Sequence, residues 1–162
     1  MKLSILSIVL LLSVTGFSQI QNSIEKFRIT QFMENGKNVT KDYKGRQQYI
    51  MFFKNEKNEL CFEVGSQVAR EKSYGLVYIT QPKEKIQTKD NCTAETMNFR
   101  WKYQNSYDSA CGYATNTFTK IFTEPIVSFR LIMATQELDV FEYSGYMELS
   151  SEYFDKTELA KK

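Results

Sequence analysis

The chain has 162 residues and a net charge of +2, with 21 basic and 19 acidic side chains scattered along it, so it carries no electrostatic footprint for nucleic acid. It contains no histidine, which removes Ser-His and Cys-His nucleophile pairs, imidazole metal ligands and the usual pH switch. With 10 tyrosines and 12 phenylalanines against 7 glycines and 2 prolines, the composition favours strands and argues against disorder.

Residues 1–18 read as a signal peptide. Met1-Lys2 is a short basic start, residues 3–14 are almost wholly apolar, and Gly16-Phe17-Ser18 offers small residues to a signal peptidase, so cleavage is expected before Gln19. The apolar run is shorter than the roughly 20 residues that span a bilayer. The first cysteine beyond it is Cys61, too far along for lipid attachment behind the leader. An exported, soluble product without a membrane anchor is therefore expected, periplasmic or extracellular. The leader resembles those of exported proteins from Bacteroidetes-type bacteria, which implies a bacterial source.

Residues 19–149 are expected to form a single β domain and residues 150–162 a polar tail. Alternation with period two predicts eight strands, at 26–33, 46–53, 59–64, 73–80, 96–104, 113–122, 126–134 and 138–149. It is clearest in the fifth, where Met97, Phe99, Trp101 and Tyr103 share one face while Asn98, Arg100, Lys102 and Gln104 share the other. In the second strand Tyr49, Met51 and Phe53 oppose Ile50 and Phe52, and in the third Leu60, Phe62 and Val64 oppose Glu59, Cys61 and Glu63. Asn35-Gly36 is a two-residue hairpin signal, residues 42–45 and 54–58 have turn chemistry, and residues 81–94 read as a loop.

Eight short strands with short links predict an all-β fold, an antiparallel meander closed into a small barrel or folded as a two-sheet sandwich. This order resembles lipocalin-like barrels in strand count. The Gly-x-Trp start of lipocalins is missing, because the single tryptophan is Trp101 in the fifth strand, so the likeness concerns architecture alone.

Three cysteines in an exported chain allow one disulfide. In an up-and-down meander the ends nearest Cys61 and Cys92 coincide and Cys111 falls at the other, so a Cys61–Cys92 bridge is expected. Residues 105–112 hold Asn, Ser and Asp side chains in a row, but one carboxylate at this spacing fits a turn better than a calcium loop. No metal or cofactor is expected.

Candidate binding residues are the rings with polar tips, Tyr49, Tyr74, Tyr78, Trp101, Tyr103, Tyr143 and Tyr146, together with Glu142, which follows Leu138 and Val140 on its own strand face. A carboxylate inside a barrel would pair with an arginine, Arg100 or Arg130, or meet a polar ligand group, and a local bulge would turn it outward. The leading expectation is a non-enzymatic barrel that binds a small apolar or amphipathic ligand in an aromatic-lined cavity. The alternative is a module that meets an exported protein partner through an exposed aromatic face or strand edge. A carboxylate-based hydrolase is a third reading.

Overall fold

A computed structural model describes residues 25–87 and 92–148. The expected signal peptide and polar tail lie outside them. Among the described residues there are ten strands: β1 (Glu25–Glu34), β2 (Lys37–Asn38), β3 (Gln48–Lys54), β4 (Leu60–Ser66), β5 (Lys72–Ile79), β6 (Glu84–Gln87), β7 (Thr93–Asn105), β8 (Cys111–Thr123), β9 (Ile126–Thr135) and β10 (Val140–Met147). Eight of them run β1-β3-β4-β5-β7-β8-β9-β10 as antiparallel neighbours, and β10 pairs back onto β1. The sheet is a closed eight-stranded barrel, with β2 and β6 added to its wall.

Each of the eight predicted strands corresponds to a barrel strand. At the first turn Asn35 and Gly36 take φ of 47° and 79° between Glu34 and Lys37, the left-handed pair that a two-residue hairpin needs. The tip is tied to the closing strand: the Asn35 amide donates to the Val140 carbonyl and the Val140 amide to Asn35 Oδ1, both at 2.8 Å. Residues 42–45 overlap a short 3-10 turn at Thr40–Tyr43. It is anchored where Thr40 Oγ1 accepts from the Phe32 amide at 2.9 Å.

Residues 81–94, expected to be loop, instead contain β6, which pairs with the first residues of β7. All four β6 side chains are exposed, so no alternation marked it. Its cause is tertiary: β5 pairs with β7 only up to Ile79 opposite Phe99, and the rest of that edge of β7 needs another partner.

The interior is a column of rings. Phe27 meets Phe118 and Phe129 at 5.2 Å each, Phe118 meets Phe52 at 4.9 Å, Phe52 meets Phe62 at 4.7 Å, and Phe62 meets Trp101 at 4.9 Å. Trp101 Nε1 donates to the Phe62 carbonyl at 3.1 Å, which satisfies the one polar atom of that buried ring. A bulge between Ile29 and Gln31 in β1 shifts the alternation by one residue, so that Phe27, Ile29 and Phe32 all face inward.

The expected Cys61–Cys92 bridge is not formed. Register gives the reason: Cys61 lies beside Leu76, and Leu76 beside Lys102, ten residues along β7 from Cys92. At about 3.3 Å per residue that is on the order of 30 Å along the strand direction, against the roughly 7 Å that a bridge tolerates. Strand ends that coincide in a flat meander are staggered once a barrel closes.

Truncating the centre of the column should be costly. Phe62→Ala is expected to lose about 3–5 kcal/mol in urea unfolding, whereas Tyr78→Ala on the outer wall should stay within about 0.5 kcal/mol. Comparable losses for the two would contradict the inward assignment of Phe62.

Candidate functional site

The ring column does not fill the whole barrel. Toward the end where β5 and β8 begin, the inward positions become small: Ser73 and Gly75 on β5 and Gly112 and Ala114 on β8 flank Trp101 and Tyr103 on β7. The Tyr103 ring lies over Gly112, where an added Cβ would come within 2.5 Å of its hydroxyl oxygen. A side chain there would have to push the Tyr103 ring aside. Small residues around two large rings leave an open mouth of about 250 Å³.

Its floor and walls are Val64, Trp101, Tyr103, Met133, Phe141 and Tyr143. Polar groups stand around the rim: Ser73 and Asn105, linked Oγ to Oδ1 at 2.6 Å, then Tyr107, Thr135, Glu137 and Asp139. Asp139 Oδ1 accepts from Asn35 Nδ2 at 3.0 Å, which holds one carboxylate in place. Burial pushes the Tyr103 phenol above its ordinary range, and Glu137 and Asp108 push it further because a phenolate beside them would be repelled. Tyr143 is raised more strongly, chiefly by burial, with Tyr43 and Glu34 adding to it. One layer beneath Ala114, Asn116 sits at 1% exposure beside Phe99 and Met133. Its Nδ2 donates to the Ala114 carbonyl at 3.2 Å, and its Oδ1 has no hydrogen-bond partner among the described residues.

Of the rings singled out from the sequence, Trp101, Tyr103 and Tyr143 come together at this mouth. The others do not reach the interior. Tyr49 lies on the outer wall, where its hydroxyl donates to Glu63 Oε1 at 2.5 Å and Lys72 Nζ meets Glu63 Oε2 at 2.9 Å. Burial, then the hydrogen bond to Glu63, raises the Tyr49 phenol well above its ordinary range. Tyr74, Tyr78 and Tyr146 are exposed on the same outer surface. Glu142 also faces outward, because Phe141 and Tyr143 hold the inward positions of β10. Arg130 grips it there through Nε at 2.9 Å and Nη2 at 3.0 Å. The arginine that was offered as partner of an interior carboxylate thus pairs with Glu142 on the outside of the barrel instead. The apolar residues that pointed to an interior position, Leu138 and Val140, are themselves exposed.

Tyr107 and Glu137 were missed because they lie in the turns at residues 106–110 and 136–139, where no periodicity shows which way a side chain faces. The first of these is the turn that its composition predicted, with the Ala110 amide donating to Asp108 Oδ1 at 2.9 Å. A second hollow of about 360 Å³ opens on the side of the barrel between the β1 bulge and the 3-10 turn, with Arg28, Lys41 and Lys44 on its walls. None of the proposed binding rings belongs to it.

No protein-family model matches this chain, and searches of the curated proteins and of the solved structures found no match.

Because Tyr49 and Tyr143 hold their protons more tightly when folded than the ordinary value of 10.0, the folded state binds more protons than the unfolded state above that value. Stability contributed by the neutral phenols is fully present below about pH 10 and is lost as pH rises beyond it. Urea midpoints should therefore be insensitive to these groups up to about pH 10 and then fall, with at least two tyrosines ionising only as the protein unfolds. Titration of every tyrosine near its ordinary value in the folded protein would contradict this.

Proposed function

We propose that this chain is an exported, non-enzymatic barrel that holds a small, partly apolar ligand in the mouth lined by Trp101, Tyr103 and Tyr143. The observation that carries the reading is the change in side-chain size along the interior, from a packed ring column to small residues that leave about 250 Å³ beside those rings. A concave, aromatic-walled space with a few polar groups at its rim has the general form of a small-molecule site. Because the walls belong to paired strands, the site is preorganised, and binding requires little ordering of the chain.

A second reading is supported by the outer wall, where Tyr74 and Tyr78 on β5 and Tyr113 on β8 are exposed beside Arg100 and Lys102 on the intervening β7. Aromatic and arginine side chains of this kind are enriched at protein interfaces. An exported protein partner would meet that surface and leave the mouth empty.

A native mass spectrum of the protein isolated from its own host separates the two. Extra mass that denaturation releases, and that a Thr135→Phe variant filling the mouth from β9 no longer carries, is the expected result. A bare chain, or an unchanged bound mass in the variant, would overturn the ligand reading.

A further inference from the structure

Resting on the reading of the mouth as a ligand pocket, we infer that its ligand is an organic cation, an ammonium group carried on a small apolar body. Three features of the mouth point the same way. Its lining carries five aromatic residues, Trp101, Tyr103, Tyr107, Phe141 and Tyr143, and the negative face of an aromatic ring attracts a cation, most strongly for tryptophan and tyrosine. The charged side chains lining it, among the described residues, are two carboxylates, Glu137 and Asp139, with neither lysine nor arginine beside them. Asp139 gives one of its oxygens to Asn35, whereas Glu137 is exposed on the turn before β10 and stands at the rim. Beneath the floor, Asn116 Oδ1 is a buried acceptor whose own amide nitrogen is already committed to Ala114. It suits a donor and repels an acceptor. An anionic ligand would face two carboxylates, with the partnerless Asn116 Oδ1 in the layer below them.

The raised phenol of Tyr103 is consistent with this, since Glu137 and Asp108 make the mouth unfavourable for added negative charge. The basic hollow beside the β1 bulge carries the opposite sign, so the two concavities would not compete for one ligand.

The test uses three probes of equal size and different charge, 2-phenylethylammonium, 2-phenylethanol and phenylacetate. Because Trp101 is the single tryptophan and lines the mouth, its emission reports occupancy directly, with calorimetry as a check. The ammonium should bind about 3- to 30-fold tighter than the alcohol, the range expected for a cation over aromatic faces, and phenylacetate should be weakest. The preference should shrink as salt is added. Glu137→Gln should reduce the advantage of the cation and leave the affinity for the alcohol unchanged, a result that a general loss of folding could not give. If the alcohol or the acid binds as tightly as the ammonium, or if Glu137→Gln leaves the preference intact, the cation assignment falls while the pocket reading stands. If none of the three perturbs Trp101 or releases heat, both fall.

Discussion

Closure of the sheet is the constraint on which the rest of this structure depends. Once β10 pairs with β1, eight strands enclose an interior of set width, just wide enough for side chains or one small ligand. No barrel strand is left with an open edge along its paired length, and the inward face of every strand must be shared among the same few residues. The β1 bulge serves this closure directly. It lets Phe27 and Phe32 face the same interior although they lie five positions apart, and it allows Phe32 to stack on Tyr143 of the closing strand at 4.6 Å.

Within that enclosure, side-chain size decides where space remains. Phenylalanines from five strands, Phe27, Phe52, Phe62, Phe118 and Phe129, saturate one end with edge and tilted contacts, the geometry that ring quadrupoles favour. Toward the other end Ser73, Gly75, Gly112 and Ala114 cannot fill the space between strands, and Trp101 and Tyr103 cover it only in part. The packed end makes the floor stiff, and the small residues make the opening. A hollow built in this way owes its shape to strand pairing, so its rings are held in place by the sheet itself. The rim differs in kind, because Glu137 and Tyr107 come from turns and Asp139 from the last residue before β10. Walls supply apolar contact and the rim supplies charge.

On the outside, several charged groups stand in pairs. Glu63 is nearly inaccessible although it points away from the interior, since Tyr49 and Lys72 lie across it. Removing either partner would leave a buried carboxylate exposed to its full desolvation cost. Arg130 and Glu142 form a bidentate pair of the exposed type, worth up to about 1 kcal/mol. These pairs account for residues that looked functional in one dimension. A tyrosine or a carboxylate among apolar neighbours marks a semi-buried outer wall as readily as a site.

The sequence by itself determined the strands, their order and much of their facing, because alternation with period two is a local property of the chain: Ile50, Phe52, Phe62, Phe99 and Trp101 declare an inward face without reference to any partner. It also placed the Asn35-Gly36 hairpin, whose left-handed angles few residue pairs accept. Only the tertiary structure decided the stagger between strands, and with it the separation of Cys61 from Cys92, since register is a relation between segments and closure changes it. The same holds for β6, which exists because part of the β7 edge lacked a partner, and for the outward turn of Glu142, where apolar residues occupy both faces of β10 and alternation carries no sign. The mouth combines both kinds of information. Three of its rings were legible as ring-bearing strand positions, while Tyr107, Glu137 and Asp139 joined them only because barrel closure brings the turns at one end around a common opening.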